Sequence, residues 1–283
     1  MKVTLIMVFL LSVLEGIAQF DPSKEWFVLE DFFEQQQIEG NRIKGIIIYK
    51  SDKKDDEAFG NQRKIAQYFF TAEGRLSLSQ KFVPLSGRMD TSFFEFDYKG
   101  NKLFSRTESQ GPFCFKYSYL WLNDTVFQEV KTDQNTLDTN YIHRVEIQKE
   151  ERYRRKFTYY NSIERPMKSK WVTNNSFGKV ILQRESYSRS LSFVENSFNY
   201  KATQLVSRSK WNTIGRQRNF FWQFTYKEGY LDFIEQSEDE LLVLKFAILY
   251  NDQRLIKSIV KRDVREKVIS IYKIEYNYYS IER

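Results

Sequence analysis

Aromatic and aliphatic residues recur at every second position in short runs, and each run leads into a turn and then a leucine. The pattern is clearest in segments 94–103 and 222–231, and the last four runs carry tyrosines at positions 200, 226, 250 and 276, spaced by 26, 24 and 26 residues. An apolar period of two is typical of β-strands, and a unit of this length holds two strands and two turns. The sequence therefore predicts an all-β fold, an antiparallel meander of repeated β-hairpins of 24–26 residues.

Turn residues punctuate this pattern at regular places. The turns are predicted at Gly74, Gly100, Gly178 and Gly229, and at the pairs Asn123-Asp124 and Asn251-Asp252. Glycine adopts positive φ without a steric penalty, and Asn and Asp tolerate the left-handed region better than other residues. Residues 51–57 are predicted to be a charged loop. Nothing in the pattern decides whether the sheet is open, solenoid-like or closed.

The segment 19–41 has a different pattern. Asp21 and Pro22 are a typical helix start, apolar residues follow at helical spacing, and Gly40-Asn41 ends the run. We therefore expect one short N-terminal helix, followed by a single β-hairpin repeat domain over residues 42–283.

Residues 1–18 have the layout of a secretory signal peptide. Lys2 precedes the apolar stretch 3–14, and the small residues Gly16 and Ala18 mark a cleavage site before Gln19. The apolar stretch is shorter than the ~20 residues of a membrane-spanning helix. Cys114 is the only cysteine and is expected to face inward. An exported chain without disulfides fits a bacterial periplasm or outer envelope better than a disulfide-rich extracellular setting.

Segment 68–76 resembles the YD repeats of RHS-type bacterial envelope and toxin proteins, whose unit is an aromatic-x-aromatic-Asp phrase followed by Gly-Arg-Leu. Thr71 stands where that family has Asp, whereas Asp97 supplies the acid in segment 94–103, which carries one extra residue before its leucine. The resemblance covers about half the chain. It implies β-hairpin repeats with a wrapping or scaffolding role and no catalysis of their own.

Charge is concentrated in one part of the chain. Residues 144–218 hold 17 Lys and Arg against 6 acidic residues, although the net charge of the whole chain is only +7. The candidate residues for binding an anionic partner are Arg152, Arg154, Arg155, Lys156, Arg208, Lys210, Arg216 and Arg218. An anionic glycan, a lipid head group or an acidic protein surface would suit an exported chain, whereas nucleic acid would not. Alternatively, these cations are a solvated strand face that keeps edges from pairing.

Candidate catalytic chemistry is sparse. His143 is the only histidine and lies in an alternating strand, so two-histidine metal sites are excluded and a structural role is favoured. No glycine-rich phosphate loop or Gly-x-Ser-x-Gly turn occurs, and we predict no cofactor and no metal. A carboxylate pair for glycoside hydrolysis would have to come from residues far apart in sequence, such as Glu95, Asp97, Asp232 and Glu235.

These features predict an exported, non-enzymatic β-repeat protein of the cell envelope that acts in binding or scaffolding. Two alternatives stay open. One is an outer-membrane β-barrel channel or assembly protein, which the hairpin length and the 48 aromatic residues suit but the 29% charged residues oppose. The other is a secreted enzyme that acts on a glycan.

Overall fold

A computed structural model describes residues 35–85, 88–100, 102–215 and 217–280. The signal peptide and the start of the N-terminal helix, which the sequence predicts within residues 1–34, lie outside the described residues. The helix α1 spans Gln35–Gly40. The strands are β1 Ile43–Lys54, β2 Arg63–Phe70, β3 Leu76–Leu85, β4 Arg88–Lys99, β5 Lys102–Gln110, β6 Phe113–Trp121, β7 Val126–Asp133, β8 Thr139–Glu151, β9 Arg154–Tyr160, β10 Pro166–Asn174, β11 Val180–Tyr187, β12 Phe193–Lys201, β13 Gln204–Asn212, β14 Arg218–Lys227, β15 Tyr230–Glu238, β16 Leu241–Tyr250, β17 Ile256–Asp263 and β18 Val268–Tyr278.

The 18 strands form one closed barrel. Each strand pairs with the next one along the chain, and β1 closes the sheet by pairing antiparallel with β18 along its full length. The predicted all-β hairpin meander is confirmed, and α1 is the one short helix among the described residues. Closure removes both sheet edges, so the barrel needs no covering element along its wall.

The recurring tyrosines stabilise neighbouring strands at one rim of the barrel. Tyr250 and Tyr276 lie at the ends of β16 and β18, where their hydroxyl groups donate to the carbonyl oxygens of Leu231 (2.8 Å) and Ile256 (2.7 Å) on the preceding strand. Successive strands run in opposite directions, so every second strand ends at this rim. The tyrosine therefore recurs once for every two strands. We call this end, which also holds α1, the tyrosine rim, and the other end the opposite rim.

The two faces of the wall differ in burial. Ile46 and Ile48 of β1 are at most 5% exposed, and they lie across from Tyr276 and Ile274 of β18. The helix α1 lies at the tyrosine rim, against β1 and the β2–β3 turn, so the barrel wall itself must bury these mid-strand residues. Their face is therefore the inner face. The alternation of side chains along each strand assigns the other residues to the inner or outer face.

The barrel interior is packed on one side only. Buried apolar residues of β12–β18 and β1–β3 form one continuous core with Ile38 of α1. Along β4–β11, Val145 is the only buried apolar residue that the structure describes, and most other inner-face side chains are half-buried. We call these two sides the packed half and the open half of the barrel. The open half is where an inner wall remains accessible to water or to a ligand.

Two local predictions differ from the structure, and a third agrees with it. The predicted charged loop 51–57 is largely strand, because β1 stays paired with β18 as far as Lys54 opposite Val268. Cys114 lies opposite Ser109 on the outer face rather than facing inward, since the inner positions of β6 are taken by Phe113 and Phe115. The four predicted turn glycines do have positive φ, between 56° and 87°.

Candidate functional site

The inner wall of the open half, together with Lys81 of the adjoining strand β3, carries cations that lie over aromatic rings. The distances from charged group to ring centroid are 4.9 Å for Lys81 over Phe94, 4.5 Å for Arg106 over Tyr117, 3.9 Å for Lys131 over Phe115 and 4.6 Å for Lys168 over Tyr159. We call these eight residues the cation–aromatic wall. Each ring holds its cation in place, and the cation keeps its charge for a further partner.

Strand register produces this arrangement. Tyr117 of β6 is paired with Arg106 of β5 on one side and with Lys131 of β7 on the other. Side chains directly opposite each other on one face of an antiparallel pair have Cβ atoms about 4.5–5.5 Å apart. One tyrosine ring therefore separates two cations. The Arg106 Nε atom is buried and has no hydrogen-bond partner among the described residues, so the wall contains an unused donor.

A cluster of titratable groups adjoins the wall around Glu129 of β7. The hydroxyl group of Tyr141 donates to Glu129 Oε1 at 3.0 Å, and His143 Nδ1 lies 4.0 Å from the same oxygen. The rings of Tyr141 and His143 stack with their centroids 4.1 Å apart, and Tyr119 is paired with Glu129 from β6. We call these four residues the Glu129 cluster. Its acid accepts a hydrogen bond from Tyr141, and two further carboxylates lie on the same inner face: Glu185, whose Oε2 is 3.4 Å from Lys168 Nζ, and Glu108, which is paired with Phe94 and Phe115.

Burial and the nearby carboxylate keep the phenol groups of this cluster neutral. Burial raises the pKa of Tyr119 to about 12, with Arg106 opposing the shift and Glu129 adding to it. The pKa of Tyr141 is raised in the same way, by burial first and by the Glu129 charge and hydrogen bond second. Burial also lowers the pKa of His143, against the attraction of Glu129 and together with the repulsion of Lys168. The cluster therefore offers neutral hydrogen-bond donors at neutral pH.

The lowered pKa of His143 predicts a pH dependence of stability. In the unfolded chain His143 takes up a proton near the ordinary histidine pKa of 6.5, whereas in the folded chain it takes up the proton only at a lower pH. The free energy of unfolding should therefore fall as pH drops from 6.5 to about 5, where histidine titrates. Chemical denaturation at a series of pH values measures this, and in His143→Gln the slope over this interval should become smaller. An unchanged slope in the variant would contradict the assignment.

The predicted cations of segment 152–156, near the tyrosine rim, do not share one surface: some lie at the turn, and the others lie on opposite faces of the strand. Arg152 lies in the β8–β9 turn, and Arg154 Nε pairs with Glu150 Oε2 at 3.2 Å. Arg155 is exposed and belongs to the inner face, whereas Lys156 is half-buried on the outer face, 5.5 Å from the Trp171 ring centroid. Consecutive strand residues point to opposite faces, so a run of cations cannot form one surface on a strand.

The second group of predicted cations lies at the other side of the barrel. Arg208 is 5% exposed on the inner face, between the rings of Phe198 and Trp222, and donates from Nη2 to Asn196 Oδ1 at 2.7 Å. Arg218 begins β14 at the opposite rim, where it pairs with Glu238 at 3.6 Å.

Lys210 follows Arg208 along the inner face of β13, and Arg216 lies outside the described residues. The seven described cations are thus not brought together. Of the four wall cations, only Lys168 lies in the basic segment 144–218. All four stand one strand away from their rings, and this relation follows from strand register alone.

The carboxylates considered for glycoside hydrolysis are also separated. Glu95 and Asp97 are exposed on the outer face of β4, whereas Asp232 and Glu235 lie on β15, seven strands away around the barrel. Glu235 Oε1 pairs with Lys245 Nζ at 2.7 Å. No group of three or more His, Cys, Asp or Glu residues suited to a metal ion occurs within the described ranges.

The helical part of the described chain holds no segment long and apolar enough to cross a membrane.

Comparison with known proteins adds little to this description. No family model and no curated protein matches the chain. Among solved structures, a porin-like protein from Bacteroides uniformis aligns at 8% identity over 84% of this chain and 97% of its own, with a TM-score of 0.40. A LolA superfamily protein from Nitrosomonas europaea aligns at 8% identity over 85% and 88%, with a TM-score of 0.21. Scores this low leave the function to be argued from the barrel itself.

Proposed function

We propose that this chain is an exported, non-enzymatic binding barrel of the cell envelope, which works in water and holds anionic groups of a ligand against the cation–aromatic wall. Ion pairs on the outer face support a barrel that works in water. The cation–aromatic wall on the inner face supports the binding of anionic groups.

Charged pairs lie at mid-strand on the outer face. Besides the Glu235–Lys245 pair, Lys273 Nζ lies 2.7 Å from Glu275 Oε1, and Arg184 lies 3.7 Å from Glu195. Charged Lys or Arg residues on the lipid face of a barrel cost roughly 2–4 kcal/mol each at the bilayer midplane. These pairs stand on β11–β12, β15–β16 and β18, so they interrupt any apolar band on the outer face between β11 and β18. A surface with such ion pairs is suited to water. These pairs are the single observation on which the proposal of a water-exposed barrel rests.

The interior supports binding of anions. The wall presents four cations above rings; Lys168 already pairs with Glu185 at 3.4 Å, whereas the buried Nε of Arg106 has no hydrogen-bond partner among the described residues. The adjoining acid, Glu129, is hydrogen-bonded by Tyr141. Charge-assisted hydrogen bonds to a carboxylate, sulfate or phosphate are the strong ones in proteins, and an arginine beside an aromatic ring suits a ligand that combines charge with apolar area. An anionic amphiphile has both features.

An outer-membrane channel is the alternative, and the closed barrel itself favours it, because barrels of 16–18 strands are wide enough for an aqueous pore. The two functions differ in the solvent of the outer face. A catalytic role has no grouping of residues to support it among the described side chains.

Fractionation of cells that express the full chain separates these functions. We expect the protein to leave the envelope on osmotic shock or carbonate wash without detergent, together with a soluble periplasmic marker. A porin produced in the same strain is the control that must stay in the membrane fraction. Retention with the porin, together with a gel mobility that changes on boiling, would overturn the proposal in favour of a membrane-embedded channel.

A further inference from the structure

A second surface, unconnected with the cation–aromatic wall, lies on the outside of the packed half. Near the opposite rim, strands β13, β14 and β15 form an open groove of about 780 Å³. Its outer-face lining consists of Ser209, Trp211, Asn219, Phe221 and Ser237. The groove is open rather than enclosed, because it follows the surface of a sheet.

Two aromatic rings stand exposed in this groove. Trp211 is 43% exposed and Phe221 is 46% exposed, although rings of this size are usually buried. Trp211 is held in place by Phe193, whose ring meets it edge-on with centroids 5.1 Å apart. The Trp211 ring is therefore fixed in position before any ligand arrives, which reduces the entropy lost on binding.

The register sets the spacing of the two rings. Trp211 is paired with Asn219, and Phe221 is paired with Ser209 on one side and Ser237 on the other. The two rings are thus diagonal neighbours on one face, about 7–8 Å apart. A hydroxyl or amide group stands beside each ring, so the surface alternates flat apolar areas with uncharged hydrogen-bonding groups.

Charges at the rim of the groove are largely engaged by the protein. The backbone N–H of Asn219 donates to Asp239 Oδ1 at 3.1 Å, and Glu238 pairs with Arg218 and, at 2.6 Å, with Arg265. The charged lining residues are Lys210, which belongs to the inner face, and Asp239 and Glu240 of the β15–β16 turn, so the five outer-face positions themselves carry no charge. A neutral polar ligand on these five positions would remove no charged group there from water.

We propose that this groove binds an uncharged polysaccharide. A sugar ring has an apolar face of C–H groups, which packs on an aromatic ring, and an edge of hydroxyl groups, which bonds to serine and asparagine side chains. Successive sugars of one chain would contact Phe221 and Trp211, with Ser209, Asn219 and Ser237 along the hydroxyl edges. The open groove accepts the interior of a long chain as well as its end.

Affinity electrophoresis tests the proposal with the intact protein. Because the chain has a net charge of +7, the native gels run toward the cathode, with and without hydroxyethyl cellulose, glucomannan or dextran. We expect at least one polysaccharide to slow the protein, with relative mobility falling to about half, as for a dissociation constant near the polymer concentration. The slowing should disappear in the double variant that combines Trp211→Ala with Phe221→Ala. It should persist in the single variant Trp211→Phe, which keeps an aromatic ring at that position.

A control replaces an aromatic ring that is more exposed than the groove rings and distant from them. Phe177 is 77% exposed in the β10–β11 turn at the tyrosine rim, so Phe177→Ala should bind as the natural chain does. Equal mobility in all gels would overturn the proposal, as would slowing that survives loss of both groove rings. Neither outcome bears on the inner wall, since the two sites share no residue.

Discussion

Replacing Gly74 with alanine should destabilise the barrel more than any other single glycine-to-alanine change at a predicted turn. Gly74 has a φ of +73°, and a Cβ atom there would lie 2.4 Å from the carbonyl oxygen of Gln35 and 2.8 Å from the backbone nitrogen of Glu39. The left-handed conformation alone costs about 1–2 kcal/mol for a residue with a Cβ atom. Crowding against backbone adds roughly 1–3 kcal/mol or displaces α1, which would expose Ile38.

Gly229 is the matched control for this prediction. Its φ is +87°, but a Cβ atom there would meet nothing within 4 Å. Gly229→Ala should therefore show the conformational cost alone. The measurement is the free energy of unfolding in urea, supported by proteolysis of the N-terminal segment, which should quicken only in Gly74→Ala. Equal losses in the two variants would mean that α1 is not seated against the β2–β3 turn.

Removing two cations from the cation–aromatic wall should weaken binding of an anionic aromatic probe at least about tenfold, which corresponds to ~1.4 kcal/mol. The variant is Lys131→Gln with Arg106→Gln, and the probe is 1-anilinonaphthalene-8-sulfonate, followed by its fluorescence. Each hydrogen bond to a charged group contributes about 1.5–3 kcal/mol, so loss of both cations should exceed the tenfold limit. The rings of Phe115 and Tyr117 remain, which isolates the contribution of charge.

The outer face provides a control of the same chemistry. Lys156 lies 5.5 Å from the Trp171 ring centroid and Arg184 lies 4.3 Å from that of Phe193, and both belong to the outer face. Lys156→Gln with Arg184→Gln removes the same net charge from the other side of the wall. We expect its affinity to stay within about twofold of the natural chain, a change below ~0.5 kcal/mol. Equal weakening in both variants would assign the effect to net charge and contradict an inner site.

The local sequence pattern predicted the strands well, because a strand can be recognised from the alternation of apolar and polar residues within its own length. The tyrosines at positions 200, 226, 250 and 276 marked hairpins of the correct length, and in the structure two of them bond to the strand before. The turn glycines were equally predictable, since positive φ is a property of a few consecutive residues. The relation to YD repeats stays a prediction, because the strand pairing does not distinguish descent from a shared hairpin geometry.

The candidate site was not predictable in the same way. The basic segment 144–218 supplied the candidate residues for an anionic partner, but strand alternation sends Arg155 and Lys156 to opposite faces. The wall, in contrast, joins Arg106, Tyr117 and Lys131, which are separated by about a dozen residues and meet only through register. A slip of one residue in that register would turn all of these side chains to the other face.

The sequence by itself determined the all-β meander, the hairpin length, the turns and the presence of a short helix before the strands. Those features depend on backbone conformation and on the period of apolar residues, which are local quantities. Only the tertiary structure decided that the sheet closes, since closure pairs Ile43 with Tyr278 across almost the whole described chain. Closure in turn defines an inside and an outside. It thereby decides which cations meet rings in the interior, which ion pairs meet solvent, and which half of the barrel stays open.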